Sequence, residues 1–176
     1  MNSKSMTNLL SDLKANKVSL IQHYCTLSEV PKLAKHLSEF FEPGDWIFLE
    51  GDMGTGKTSL SKEISIYFGT KSFFTSPTFS LLNTETLNLS KNSIKRLIHL
   101  DLYRLKTGKE ICYLGLEQEF NSSNSLVLIE WPSILDQEDW QYFFNLTQCQ
   151  KPKRVLNINI ENDIDKRRYD LNFINI

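Results

Sequence analysis

A glycine-rich segment in the first third of the chain has the residue types of a phosphate-binding loop. The pattern G-x-x-x-x-G-K-[ST] is completed by Gly51, Gly56, Lys57 and Thr58. Glycines let successive backbone N–H groups curl around phosphate oxygens, and a helix that follows directs its positive end at the same anion. The lysine would neutralise the outer phosphates, and the threonine hydroxyl would complete a Mg²⁺ shell. The spacing therefore predicts a nucleotide site.

The residues on either side of this loop provide the context that the motif requires. Residues 46–49 form an apolar run typical of a buried strand, and residues 60–68 have helical spacing that stops at Gly69. A strand, a loop and a helix in this order favour a P-loop over an ordinary glycine-rich turn. The residues expected to contact the nucleotide are Asp52, Met53, Gly54, Thr55, Gly56, Lys57, Thr58 and Ser59.

Two acidic residues that follow apolar runs are candidates for the metal side of the site. Glu130 follows residues 126–129, and Asp101 follows residues 97–100. The carboxyl ends of neighbouring parallel strands meet at the ligand-binding edge of a sheet, so both acids are expected there. An N-cap or a solvated surface charge is the alternative for each. His99, within an apolar run, is predicted to be structural rather than a catalytic base.

Other residues leave a choice between a structural and a functional role. Trp131 follows Glu130 directly and is equally compatible with the core and with a place beside the nucleotide. The basic cluster of Lys151, Lys153 and Arg154 is typical of a solvated turn, with a position beside the nucleotide as the alternative. The run 166–168 is most simply a solvated group of charges.

Length and composition indicate one globular protein of moderate size. The chain has 176 residues and a net charge of −1, so there is no overall positive field for DNA or RNA. No C-x-x-C pair occurs, and the three cysteines are expected to be reduced in a cytoplasmic protein. No apolar run is long enough to span a membrane. Residues 1–17 are predicted to be a flexible extension or to form a short helix around residues 9–14, and residues 18–176 are predicted to be a single domain.

The hydrophobic periodicity predicts an α/β fold. We expect three layers, with a P-loop NTPase-like sheet that has a parallel core and an antiparallel C-terminal hairpin. Residues 84–92 are polar and predict a turn. The other predicted elements are a strand at 18–25, a helix at 28–41, a short strand at 73–75, a strand at 94–100, helices at 109–120 and 136–146, and a hairpin of residues 154–161 with 168–173.

Four blocks taken together resemble one family. In chain order these are residues 51–58, 76–81, 99–105 and 129–131. The set resembles the TsaE (YjeE) family, small bacterial ATPases of tRNA threonylcarbamoyladenosine biosynthesis. The P-loop alone is generic, and the other three blocks make the resemblance specific. One departure is Met53-Gly54-Thr55 with Ser59, where many members have Leu-Gly-Ala and a threonine.

The resemblance implies roles for individual residues on the metal side. Thr58 and Asp101 would ligate Mg²⁺. Glu130 would lie near the γ-phosphate or the water shell of the metal. With Lys57, these acids would form the catalytic group.

The resemblance also implies roles at the edges of the site. Thr78 would lie in a loop that senses the state of the nucleotide. Trp131 would be required at the nucleotide-side surface, where a partner docks. Thr26 and Arg154 would border the adenine.

The family resemblance implies a slow, Mg²⁺-dependent ATPase in the cytoplasm. It would act as a switch on a TsaD–TsaB protein complex and reach tRNA only indirectly. One alternative is a P-loop small-molecule kinase, although Arg96 and Arg104 are the only arginines between the loop and Glu130, too few for a lid. A GTP switch is disfavoured because residues 70–73 lack the aspartate of a guanine-reading motif. A nucleotide-binding adaptor without enzymatic activity is a further alternative.

Overall fold

The computed structural model describes residues 5–70, 81–121 and 123–176. The helices are α1 (Met6–Lys14), α2 (Val30–Phe40), α3 (Lys57–Tyr67), α4 (Glu117–Phe120) and α5 (Gln137–Thr147). The strands are β1 (Ile21–Cys25), β2 (Asp45–Glu50), β3 (Leu82–Lys91), β4 (Ile94–Asp101), β5 (Ser125–Glu130), β6 (Arg154–Asp163) and β7 (Lys166–Ile174). No helix within these residues is long and apolar enough to cross a membrane.

The described strands form one mixed sheet in the order β1-β7-β6-β2-β5-β4-β3. The strands β6, β2, β5 and β4 are parallel, and antiparallel strands flank them on both sides. The predicted parallel core and antiparallel C-terminal hairpin are confirmed. Because β2 lies inside the parallel core, the loop that follows it opens at the carboxyl edge, where ligands bind to such sheets.

Side-chain alternation along β2 shows why helices cover both faces of the sheet. Ile47 and Leu49 pack in the core that also contains α1, α2 and α3. Trp46 and Phe48 point to the opposite face, where they pack with α4 and α5. A strand that is apolar on both faces must be buried on both, which produces the predicted three layers.

The first helix corresponds to one of the two alternatives predicted for residues 1–17, a flexible extension or a short helix. Ser5 caps α1 by accepting a hydrogen bond from the backbone N–H of Asn8. Met6, Leu10 and Leu13 lie on one face of α1 and are buried in the core beside α2. The helix alternative is therefore the one that the structure supports for residues 6–14, because burying this apolar face favours a packed helix.

Two further element predictions differ from the structure. The polar segment predicted to be a turn belongs to β3, which pairs with β4 at the edge of the sheet, where polar residues are tolerated. The helix predicted over 109–120 is divided into a 3₁₀ segment, Gly108–Tyr113, and α4. Gly115 separates them with a φ of +68°, which a continuing helix cannot contain. The strand predicted at 73–75 lies outside the described residues.

Candidate functional site

The loop between β2 and α3 has a conformation that depends on glycine. Gly51, Gly54 and Gly56 have φ values of +128°, +81° and +105°. A Cβ atom on Gly51 would lie 2.2 Å from the carbonyl oxygen of Ile160, and one on Gly56 would lie 2.7 Å from Nη1 of Arg167. The glycines of the motif therefore allow both the left-handed backbone and the close packing of the loop against the C-terminal hairpin.

Lys57 begins α3 and is held across the loop. Its Nζ donates hydrogen bonds to the carbonyl oxygens of Gly51, at 2.6 Å, and of Asp52, at 2.9 Å. The indole of Trp131 covers the same ammonium group at 3.7 Å from the ring centroid. Burial lowers the pKa of Lys57, and nearby carboxylates, chiefly Glu130, oppose that shift. The site therefore holds a partly desolvated positive charge, which suits a phosphate group.

Glu130, the last residue of β5, is buried, and both of its carboxylate oxygens have hydrogen-bond partners on α3 or β4. Its Oε2 accepts a hydrogen bond of 2.8 Å from the Thr58 hydroxyl. Its Oε1 accepts one of 3.2 Å from Ser61 and lies 2.8 Å from Nε2 of His99. The carboxylate therefore orients the first turn of α3, and His99 is buried and hydrogen-bonded, as the sequence predicted.

Asp101 ends β4 and is more open than Glu130. It lies opposite Glu130 in the register of β4 and β5, and its Oδ1 accepts a hydrogen bond of 3.1 Å from the backbone N–H of Tyr103. Burial raises the pKa of Asp101, and the carboxylate of Glu130 raises it further. A carboxyl group with a raised pKa at the wall of a cavity is a candidate for binding a cation, which would favour its charged form.

A cavity of about 340 Å³ joins the loop to these acids. The residues that line it are Met53, Gly54, Gly56, Lys57, Thr58, Ser59, Asp101, Tyr103, Glu130, Trp131 and Arg167. Most of the predicted nucleotide residues thus face one space. Oxygen donors from Thr58, Asp101 and Glu130 are of the kind that Mg²⁺ prefers, so the residues fit a magnesium–nucleotide complex.

Trp131 combines the two roles that its sequence position left open. Its backbone has a φ of +60°, a left-handed conformation that is uncommon for a bulky residue. Its N–H donates to the carbonyl oxygen of Leu49, which fixes the turn to the end of β2. The ring packs partly on the core, contacts Tyr103 at a centroid distance of 5.1 Å and covers Lys57. It is therefore part of the cavity wall and not of the core alone.

Arg167, near the start of β7, is a site residue that the sequence interpretation missed. It lines the cavity, and its guanidinium lies against Gly56. Tyr169 and Leu171 occupy the same face of β7 and are buried in the core beside α2 and α3. Alternate residues of a strand share a face, so Arg167 lies on the same face as Tyr169 and Leu171 and points toward α3. This alternation is visible in the sequence and could have identified Arg167. Arg168 points the other way and pairs with Glu161.

Arg154 does not lie where the sequence prediction placed it. It starts β6 opposite Asp45, the first residue of β2, and binds the Asp45 carboxylate through Nε and Nη2. Since β2 and β6 are parallel, this is the edge of the sheet opposite the phosphate-binding loop. The predicted contact of Arg154 with adenine is wrong for this reason.

Two other predicted residues lie at the limits of the described site. Thr26 follows Cys25, which pairs with Arg167, so Thr26 is at the cavity's edge of the sheet. Its backbone N–H and its hydroxyl both donate to Oε2 of Glu29, at 2.8 and 2.9 Å, at the start of the turn Leu27–Glu29. A role for Thr26 in binding adenine stays a prediction. Thr78 lies outside the described residues, so its role as a switch also stays a prediction.

The mixed sheet, the loop and the paired acids define a P-loop NTPase-like fold of the α/β class. The family model described as "Threonylcarbamoyl adenosine biosynthesis protein TsaE" matches residues 24–169, and the chain belongs to this family. The resemblance inferred from the four sequence blocks is thereby confirmed.

Curated relatives and a solved structure agree with this assignment. The tRNA threonylcarbamoyladenosine biosynthesis protein TsaE of Rickettsia conorii is 44% identical over 108 residues, which are 61% of this chain and 58% of the relative. The protein of the same description from Bacillus subtilis is 31% identical over 110 residues, 62% of this chain and 65% of the relative. The aligned part therefore spans less than two thirds of either relative. The crystal structure of YdiB from Bacillus subtilis has a TM-score of 0.59 at 24% identity, covers 90% of this chain and 88% of YdiB, and supports the fold.

Proposed function

We propose that this chain binds ATP with Mg²⁺, hydrolyses it slowly, and acts as a nucleotide-dependent switch in the formation of threonylcarbamoyladenosine on tRNA. The observation that carries this proposal is the hydrogen bond between Thr58 and Glu130 beside the buried ammonium of Lys57. It joins the P-loop helix to an acid at the end of the neighbouring strand, the arrangement that phosphate and metal binding require.

The residues would bind the nucleotide by complementary charge. The N-terminal N–H groups of α3 and the Lys57 ammonium group would hold the phosphate oxygens. Thr58 and Asp101 would hold the cation, with Glu130 hydrogen-bonded to Thr58 behind them. When bound, Mg²⁺ supplies neutralisation of the phosphate charge.

Slow ATP turnover by the isolated chain is expected because Glu130 and Asp101 already accept hydrogen bonds within the protein. Both oxygens of Glu130 already accept hydrogen bonds, so this carboxylate is poorly placed to orient an attacking water. The Asp101 carboxylate accepts the N–H of Tyr103, and its expected role is at the cation. A partner that completes the site would accelerate hydrolysis by several orders of magnitude, as activating groups do in other P-loop enzymes.

The relatives' descriptions place them in tRNA threonylcarbamoyladenosine biosynthesis. We infer that this chain serves the same pathway by docking on a TsaD–TsaB complex in the cytoplasm. The transfer chemistry would belong to that complex. The net charge of −1 agrees with tRNA being reached only indirectly.

A reconstituted modification assay tests this proposal. TsaD, TsaB, substrate tRNA and ATP are combined with and without this chain, and both modified adenosine and released phosphate are measured. We expect repeated cycles of modification only with the chain, and ATP turnover that rises when TsaD–TsaB is added. Robust phosphorylation of a metabolite, unaffected by TsaD–TsaB, would overturn the proposal in favour of a small-molecule kinase.

A further inference from the structure

A set of buried side chains behind the cavity surrounds one carboxylate. Glu130 is 1% exposed and His99 is 3% exposed, so neither is in contact with bulk solvent. Oε1 of Glu130 accepts hydrogen bonds from Ser61 and His99, and Oε2 accepts one from Thr58. A buried carboxylate is costly unless it is satisfied in this way. The arrangement therefore gives each oxygen a separate set of donors.

The topology explains why these groups meet. Ile98 and Leu100 face the α5 side of the sheet, so His99 between them faces α3. Thr58 and Ser61 are three residues apart on α3, a spacing that puts both hydroxyls on one face of a helix. Glu130 ends the strand next to β4 and lies between the helix and His99. The contact thus depends on one strand register and one helix face.

We propose that His99 and Ser61 are positioning residues for the magnesium–nucleotide site. They hold Oε1 of Glu130, which leaves Oε2 to take the hydroxyl hydrogen of Thr58. With its hydrogen directed at Glu130, the Thr58 oxygen keeps its lone pairs for a cation. This inference rests on the proposed function, because it concerns how the same site is ordered.

The expected loss of Mg²⁺-dependent affinity depends on how many hydrogen-bond donors to Glu130 a substitution removes. Without His99, Oε1 would keep only the longer hydrogen bond from Ser61 within this set, at 3.2 Å, and the carboxylate would be held less firmly. Substitution of residues that orient metal ligands typically weakens metal affinity or activity by about 10- to 100-fold. We expect a loss in that range for His99 and a smaller loss for Ser61.

A merely structural role makes a different prediction. In that case, replacing His99 would lower the free energy of unfolding and would weaken nucleotide binding equally with and without Mg²⁺. A positioning role affects the Mg²⁺-dependent part of the affinity selectively. The ratio of the dissociation constants for ATP in EDTA and in Mg²⁺ therefore separates the two.

The experiment compares donor-removing and donor-retaining variants by calorimetry of ATP binding in Mg²⁺ and in EDTA, with thermal unfolding measured in parallel. His99→Phe keeps a ring but loses the donor, whereas His99→Gln keeps an N–H that can reach Oε1. Ser61→Ala is the second test variant. Its matched control is Ser65→Ala, since Ser65 is also buried on α3 but donates to the carbonyl oxygen of Lys62.

We expect His99→Phe and Ser61→Ala to reduce the EDTA-to-Mg²⁺ ratio, and His99→Gln and Ser65→Ala to preserve it. If the wild-type protein has a ratio above one and both test variants have the same ratio, the inference is wrong while the proposed function stands. If the wild-type protein has no Mg²⁺-dependent affinity for ATP, the proposed function itself fails. If His99→Phe does not fold, the comparison of Ser61→Ala with Ser65→Ala decides the matter.

Discussion

Asp101 and Glu130 lie opposite each other in the register of β4 and β5, yet their surroundings differ. Glu130 is buried with hydrogen bonds to both oxygens, whereas Asp101 is partly exposed at the cavity wall. Parallel pairing aligns the two acids at one edge of the sheet. The helix α3 then covers Glu130 but not Asp101. Glu130 therefore orients α3, whereas Asp101 remains accessible from the cavity.

This division predicts different effects of removing each charge. Asp101→Asn should lower the Mg²⁺-dependent affinity for ATP by about 10-fold or more without loss of stability. Glu130→Gln should also lower the free energy of unfolding by about 1–3 kcal/mol, because its amide group cannot accept from all the buried donors. Calorimetry and urea unfolding measure the two quantities. If Asp101→Asn kept normal affinity and turnover, Glu130 would be the sole metal acid.

Lys57→Ala should weaken ATP binding by about 10- to 100-fold, because a charge-assisted hydrogen bond to phosphate is worth about 1.5–3 kcal/mol. Lys62→Ala is the matched control, since Lys62 is an exposed lysine on the same helix. Calorimetric titration with ATP measures both variants. Equal affinities of the two variants would mean that the loop lysine does not contact the phosphates.

The two arginines provide a test of the corrected site. Arg167→Ala should weaken ATP binding by about 10-fold, because Arg167 lines the cavity beside Gly56. Arg154→Ala should leave that affinity unchanged but lower the free energy of unfolding by about 3 kcal/mol, since it leaves buried Asp45 unpaired. Titration and urea unfolding of both variants measure these effects. The reverse pattern would restore Arg154 to the nucleotide site.

Glu50→Gln should change how stability depends on pH. Burial raises the pKa of Glu50, against a smaller opposite effect of the hydrogen bond from Ser133. Ionisation therefore costs the folded state more than the unfolded chain, whose glutamate pKa is about 4.3. The wild-type protein should lose stability relative to Glu50→Gln as the pH rises from about 4 through the raised pKa.

Thermal unfolding between about pH 4 and pH 8 measures this difference, and the range brackets both states of the glutamate. Glu138→Gln, at an exposed position on α5, is the control. A constant difference between wild type and Glu50→Gln over the whole range would show that Glu50 has no raised pKa in the folded protein.

Leu10→Ala tests the packing of α1. Leu10 is 1% exposed in the core, so the substitution should lower the free energy of unfolding by about 2–5 kcal/mol in urea titrations. Leu27→Ala, at a residue that is 64% exposed, should change it by less than about 0.5 kcal/mol. No effect of Leu10→Ala would return residues 6–14 to the status of a flexible extension.

The sequence by itself determined the phosphate-binding loop, the apolar strands on either side of it and the C-terminal hairpin. Each of these depends on residues that are close in the chain: glycines at fixed spacing, a continuous apolar run before Glu130, and alternation on both sides of 162–165. The two strand-terminal acids were predictable for the same reason, since parallel strands end at a common edge.

Only the tertiary structure decided which charged residues belong to the site. Arg154 and Arg167 both lie in basic runs, and the pairing of β6 with β2 and of β7 with β6 sends them to opposite edges of the sheet. The hydrogen-bond partners of Glu130 could not be predicted from the sequence either, because His99 is 31 residues away in the chain and Thr58 is 72 away. Local sequence patterns predict which face of a strand a side chain lies on. Strand order and register determine which other residues it contacts on that face.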